Sequence, residues 1–192
     1  HGACIGGAID MITAADIRIC AENSYFSIEE IHIGMAADVG TLQRLPKLIP
    51  PGAARELAMR GRRVDAAEAK ALGLISSVHA DKEAVEAAAM EMAQLIASKS
   101  PLAISGIKQS LNYARDHSVT DGLDQIATWN GGMLRPEDLM TAQKARTTKT
   151  EVHLKNLPHP SSSPTGELLR SMPSLAIAGG GPTVDGYSVA KQ

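Results

Sequence analysis

The chain has 192 residues, 44% of them hydrophobic and 21% charged, a globular balance that excludes collagen-like, coiled-coil and wholly disordered readings. Its net charge is −2 and its Lys and Arg are scattered, so there is no positive field for nucleic acid. No apolar run approaches the roughly 18–20 residues that a membrane span needs. Aromatics are only 3% of the residues, so the core must rest on Ala, Ile, Leu, Val and Met packed closely. Cys4 and Cys20 lack the number and spacing of a disulfide framework or a zinc site, which fits a reducing compartment. The chain opens at His1 with neither methionine nor a targeting segment, and is expected to be cut out of something longer.

The first expected element is a helix over 5–15, entered through Gly6 and Gly7. Residues 17–21 and 25–28 alternate as strands do, parted by the turn signal Glu22-Asn23. A loop with Gly34, Asp38 and Gly40 follows, then a short helix over 41–48 closed by Pro50-Pro51-Gly52. Residues 53–60 and 66–72 read as helices. Asp65 stands as N-cap of the second, with Glu68 three residues on and Gly73 as the stop. A β-like run over 74–78 precedes a long Ala-rich helix capped by Asp81 and reaching about Ser98. Ser100-Pro101 opens another helix, with Leu102, Ile104, Ile107 and Leu111 near helical spacing, and two more cover 121–129 and 136–145. Beyond Arg146 the periodicity is lost in a Pro-, Ser- and Gly-rich tail. An α/β core with a helical appendage is the architecture these patterns support.

Chemistry concentrates in the first forty residues. Two glycines at a helix start leave backbone amides open to an oxyanion with no Cβ in the way, which makes Gly7 the best candidate donor; tight packing of helix on strand is the competing explanation. Asp10 lies about one turn on, facing the same space or merely favoured by the helix dipole. Taken singly, Glu30 beside Glu29 reads as a solvated edge residue and Asp38, between Ala37 and Gly40, as an Asx-type turn residue. Five other histidines, His32, His79, His117, His153 and His159, have no partner at ligand spacing, so no metal site or serine-type triad is expected. Arg44 and Lys108 are basic residues that could meet a phosphate, though such isolated groups are usually solvated. Neither a GxGxxG pattern nor a phosphate loop is present.

Taken together, the run from His1 to Asp10, the following Ala15-Asp16-Ile17-Arg18, the stretch from Phe26 to Gly34 and the block Gly40-Thr41-Leu42-Gln43-Arg44-Leu45-Pro46 resemble the crotonase (enoyl-CoA hydratase/isomerase) superfamily. The resemblance continues through Ala69-Leu72-Gly73-Leu74-Ile75 and Ser98-Lys99-Ser100-Pro101 to about Ala145, some three quarters of the chain. Within the superfamily it is strongest for the Δ3,5-Δ2,4-dienoyl-CoA isomerases, through the acidic residue in Met35-Ala36-Ala37-Asp38-Val39-Gly40 and the stretches Arg115 to Ser118 and Ala127 to Asn130.

The resemblance implies an α/β fold: part of a ββα spiral over 1–100, a helical oligomerisation region over 101–145 and an irregular tail over 146–192. It implies a 3,5-dienoyl-CoA to 2,4-dienoyl-CoA isomerase of fatty-acid β-oxidation, with Asp38 as base at C2, Glu30 as acid at C6, Asp10 assisting and Gly7 giving one oxyanion amide. The acid must hold its proton near neutral pH, for which Ile31, Ile33 and Met35 are candidate apolar walls. The substrate is an acyl-CoA thioester and CoA arrives as part of it, with no separate cofactor and no metal. A homotrimer or homohexamer and a peroxisomal or mitochondrial location also follow by resemblance. The family's CoA-binding half and second oxyanion amide lie ahead of this stretch, so the chain is expected to be a C-terminal portion, unstable or inactive unless another chain completes it. The alternatives are an enoyl-CoA hydratase, in which Asp10 and Glu30 activate water, and a non-catalytic oligomerisation subunit.

Overall fold

Two passes of one pattern build the first 80 residues. The first runs from strand β1 (Ala3–Ile5) through helix α1 (Gly7–Ala14) to β2 (Ile19–Ala21). The second starts at β3 (Tyr25–Ser27), continues through α2 (Thr41–Arg44), α3 (Pro51–Arg60), β4 (Val64–Asp65) and α4 (Ala66–Leu72), and ends at β5 (Ser77–His79). β1 and β3 pair in parallel, with Cys4 opposite Phe26, and β4 adds antiparallel to β3, with Val64 opposite Phe26. β2 and β5 form a second parallel pair, with Cys20 opposite Val78. Each pass thus leaves one sheet, crosses by helices and enters the other, which is the spiral the sequence implied. This computed structural model describes residues 1–152 and 154–157. The chain divides into two compact units, His1–Lys155 and Asn156–Gln192, and all its described helices and strands belong to the first. The expected irregular tail falls outside the described residues from Pro158 on.

The core fills the space between the sheets and the helices with Ile9, Phe26, Ile28, Leu45, Ile49, Leu57, Val64, Leu74 and Ile75. Small residues let the elements close on one another: Ala66 and Ala69 of α4 and Ala54 of α3 are buried. The helix expected over 5–15 starts later: Gly6 at φ +53 breaks the chain after β1, and its N–H completes the ladder on Ser27 O at 3.0 Å. The Glu22-Asn23 turn does not fold β2 back on β3; it hands the chain from one sheet to the other. Of the run over 74–78, Leu74 and Ile75 are core residues ahead of the strand.

Caps set most helix boundaries where the sequence placed them. Asp65 accepts Glu68 N at 2.8 Å and Asp81 accepts Ala84 N at 2.8 Å, each the first-turn donor with no partner inside its helix. Glu68 does not return its carboxylate to Asp65, because Arg62 takes it through two bonds of 2.6 and 2.9 Å. Arg62 also bonds Glu56, so both glutamates are held below the usual carboxylate range by its guanidinium. Four further helices follow: α5 (Lys82–Ala97), α6 (Pro101–Ala114), α7 (Val119–Met133) and α8 (Pro136–Thr148). α7 starts two residues before Asp121, since Ser118 and Asp121 form a reciprocal capping box. α8 runs on past Arg146 to Thr148.

α6 and α7 cross at Gly106. A Cβ there would lie 2.6–2.8 Å from three atoms of the Trp129 ring, so the glycine is what allows the indole to lie on the backbone. Gly106→Ala therefore forces the indole out, at a cost of about 1–3 kcal/mol from overpacking, partly offset by the ~0.5–1 kcal/mol that Ala gains in a helix. Trp129 is the single tryptophan, so a red-shifted emission and an earlier unfolding midpoint are the expected readouts. Lys108, expected as a solvated cation, pairs with Asp16 at 2.7 Å and ties α6 to the end of α1, while Lys47 pairs with Asp116. Apolar Ile107, Leu111, Val119 and Leu123 of α6 and α7 are exposed. Among the described residues no helix is long and apolar enough to cross a membrane.

Candidate active site

The site grows from the junction of β1 and α1. Gly6 is the N-cap, and α1 begins at Gly7, so the amides of the first turn point out of the helix without intrahelical acceptors. Ile9 N is bonded back to Gly6 O at 2.8 Å, which leaves those of Gly7 and Ala8 as the positions where an oxyanion can be met.

β3 delivers the first carboxylate to this point. After Ser27 and the buried Ile28, residues Glu30–Ile33 form a 3-10 turn ended by Gly34 at φ +74. Residues 30–33 carry no cap signal in the sequence, between the strand expected over 25–28 and the loop with Gly34, so nothing local marks this turn. It folds the Glu30 side chain back on α1: its Oε1 lies 3.4 Å from where a Cβ on Gly6 would stand. Glu30 Oε2 is buried without a hydrogen-bond partner. An uncompensated carboxyl oxygen at a helix N-terminus, beside open amides, is the kind of orphan group that a ligand or a transferable proton satisfies.

The turn itself is clamped from α3. Ser27 Oγ donates to Gly61 O at 3.0 Å, and His32 Nε2 donates to the same oxygen at 2.9 Å. Gly61 sits at φ +61, and a Cβ there would meet His32 Nε2 at 2.4 Å and Ile31 Cγ2 at 2.7 Å. The residues expected as apolar walls for Glu30 lie toward the surface of this unit: Ile31 and Ile33 in the turn and Met35 after it are exposed, Ile33 to 73%, and Ile31 and Met35 border a groove of about 600 Å³ shared with Ile28, Ala37, Leu42 and Met59. Neither Glu30 nor Asp38 lines that groove.

Asp38 is exposed, in the irregular segment between the turn and α2. Asp10 is buried, 5% exposed, and its carboxylate does not face the amides of its own helix start. Its Oδ1 accepts Thr41 N at 2.7 Å and Thr41 Oγ1 at 2.8 Å, which caps α2 from a helix 31 residues away. Thr41 is 1% exposed. Arg44, expected as a solvated cation, instead donates to Asp10 O at 2.8 Å, to Val39 O at 2.9 Å and to Thr13 Oγ1 at 3.2 Å. The structure therefore brings Glu30 to the Gly6-Gly7 helix start and joins Asp10 to the loop bearing Asp38, while Asp38 itself stands at the surface of this unit. The pairing of Thr41 and Arg44 with Asp10 has no local signal, because Asp10 is too far away along the chain for spacing to reveal it.

A family model described as Enoyl-CoA hydratase/isomerase matches residues 1–138. The chain is 47% identical over 153 residues to the mitochondrial Delta(3,5)-Delta(2,4)-dienoyl-CoA isomerase of Homo sapiens, covering 79% of this chain and 47% of that protein. It is 46% identical over 157 residues to the peroxisomal enzyme of that name from Arabidopsis thaliana, covering 82% and 56%. Among solved structures, an enoyl-CoA hydratase from Bacillus anthracis superposes with a TM-score of 0.77 at 31% identity, over 81% of this chain and 60% of that one. The chain spans about half the length of the curated relatives it matches. With the two-pass spiral, the helix-start amides and the carboxylate beside them in place, the chain belongs to the enoyl-CoA hydratase/isomerase family and carries its crotonase fold.

Proposed function

We propose that the protein carrying this chain isomerises 3,5-dienoyl-CoA to 2,4-dienoyl-CoA by proton transfer between two carboxylates. Asp38 removes a proton from C2; the charge spreads onto the thioester oxygen, which the Gly7 amide stabilises; protonated Glu30 returns a proton at C6. Both double bonds move one position toward the thioester. C2 and C6 are four bonds apart along a rigid conjugated chain, so two fixed groups do what one pivoting side chain would have to span the diene to do. A preorganised amide at the developing oxyanion contributes about 10²–10³ in rate.

The observation that carries the reading is the buried, unpartnered Oε2 of Glu30 beside the α1 start. The 46–48% identity to relatives named for this reaction supports it. The hydratase reading, with Asp10 and Glu30 activating water, fits less well, because Asp10 Oδ1 already accepts two bonds from Thr41. CoA enters as part of the substrate, and no further cofactor is called on. The mitochondrial and peroxisomal relatives make those the compartments to examine first, and the exposed apolar residues of α6 and α7 suit a homotrimer or homohexamer. The test is product analysis on the intact protein. New ultraviolet absorbance from a diene conjugated to the thioester, with no mass gain, is expected from 3,5-dienoyl-CoA. Formation of 3-hydroxyacyl-CoA from a 2-enoyl-CoA, with no such shift, would favour the hydratase. Self-association without acyl-CoA binding would leave only the non-catalytic subunit.

A further inference from the structure

Between the buried Ala37 and the buried Thr41 the chain has little apolar anchorage: Asp38 and Val39 are exposed, Val39 to 68%. Hydrogen bonds must set where this segment lies, and Arg44 supplies them. Its guanidinium reaches Val39 O, the residue next to Asp38, and at the same time Asp10 O and Thr13 Oγ1 of α1. The planar fork sets Nη2 between Asp10 O and Val39 O while Nε meets Thr13 Oγ1, a fixed spread of donors that an ammonium does not have. It lies directly over Gly40, where a Cβ would stand 2.2–2.4 Å from its Nη1, Cζ and Nη2. Gly40 is at φ +116, so the position is closed to other side chains both by backbone conformation and by the guanidinium above it.

We propose that Arg44 is a positioning residue for the isomerisation: it clamps the loop carrying Asp38 to α1, whose N-terminus carries the Gly7 amide, and so fixes the base relative to the oxyanion donor. The inference rests on the reading of Asp38 as the base. Asp10 and Thr41 form the second tie between the same two elements, one residue beyond Gly40. Arg44 touches no reacting atom in this account. Its effect passes through the loop.

The test uses Arg44→Lys and Gly40→Ala in the intact protein. Lys keeps the charge but replaces the rigid pair of donors Nε and Nη2 by one nitrogen on a flexible stem; the added Cβ displaces the guanidinium with Arg44 still present. In each variant kcat is expected to fall about 10- to 100-fold, the scale of an ångström-level misplacement of a catalytic group, with KM within about threefold. Because both changes break one clamp, the double variant should be no slower than the slower single. Hydrogen exchange should quicken over 38–41 and stay unchanged in α3 and α4. Wild-type kcat in Arg44→Lys, additive losses in the double variant, or a kcat loss that tracks lost protection throughout α3 and α4 would overturn the proposal. A wild-type protein that does not isomerise 3,5-dienoyl-CoA removes Asp38 as base and the catalytic half of this inference with it; the exchange comparison then decides separately whether Arg44 holds the loop.

Discussion

Asp38→Asn is expected to lower kcat for 3,5-dienoyl-CoA by about 10³-fold or more and to leave acyl-CoA binding within a few-fold of wild type. The amide cannot accept the C2 proton, and loss of a positioned general base costs about 10²–10⁴ in rate. Because Asp38 is exposed in this unit, the change removes little folding energy. An unfolding midpoint equal to wild type would therefore accompany the loss. The informative readout is exchange of the C2 proton with solvent, which should stop along with turnover. Persistence of that exchange would mean that another group takes the proton.

Glu30→Gln separates the second half of the reaction from the first. Gln has the shape to lie against Gly6 but no proton to give at C6, so turnover is expected to fall about 10²–10³-fold while C2 exchange continues, since Asp38 and the Gly7 amide are untouched. Its NH₂ group must also fit where the buried Oε2 had no partner, a further reason for impaired function without global unfolding. The two variants thus give opposite patterns: exchange without product for Glu30→Gln, neither for Asp38→Asn. If Glu30→Gln abolished exchange as well, Glu30 would be acting as the base, and the roles would have to be reversed.

Much of the scaffold was legible because its signals are local. Asp65, Asp81 and Ser100 each accept the backbone donor three residues on, as their position before an apolar or Ala-rich run predicts, and Gly73 takes the left-handed stop at φ +87. The failures are non-local. β1 is three residues long and exists only because β3 lies beside it; without that partner Ala3, Cys4 and Ile5 look like the approach to a helix. The 3-10 turn at Glu30 depends on Gly61 O, which Ser27 and His32 reach across about 30 residues of chain. Asp10 could be read from spacing as an acid near the helix-start amides, yet its side chain turns to Thr41, because a buried polar oxygen must find hydrogen-bond donors. Of the candidate site, Glu30 comes back against Gly6, one residue ahead of Gly7, whereas the loop bearing Asp38 is tied to α1 through Arg44 and Thr41, whose partners lie some thirty residues away along the chain.

In the proposed reaction the proton leaving C2 and the proton arriving at C6 pass through different side chains. Turnover of 3,5-dienoyl-CoA deuterated at C2, run in ordinary water with the product analysed position by position, tests it directly. Two fixed carboxylates predict protium at C6 and deuterium lost to solvent from the abstracted position. Deuterium carried from C2 to C6 would mean that one group moves along the diene, and would contradict the account.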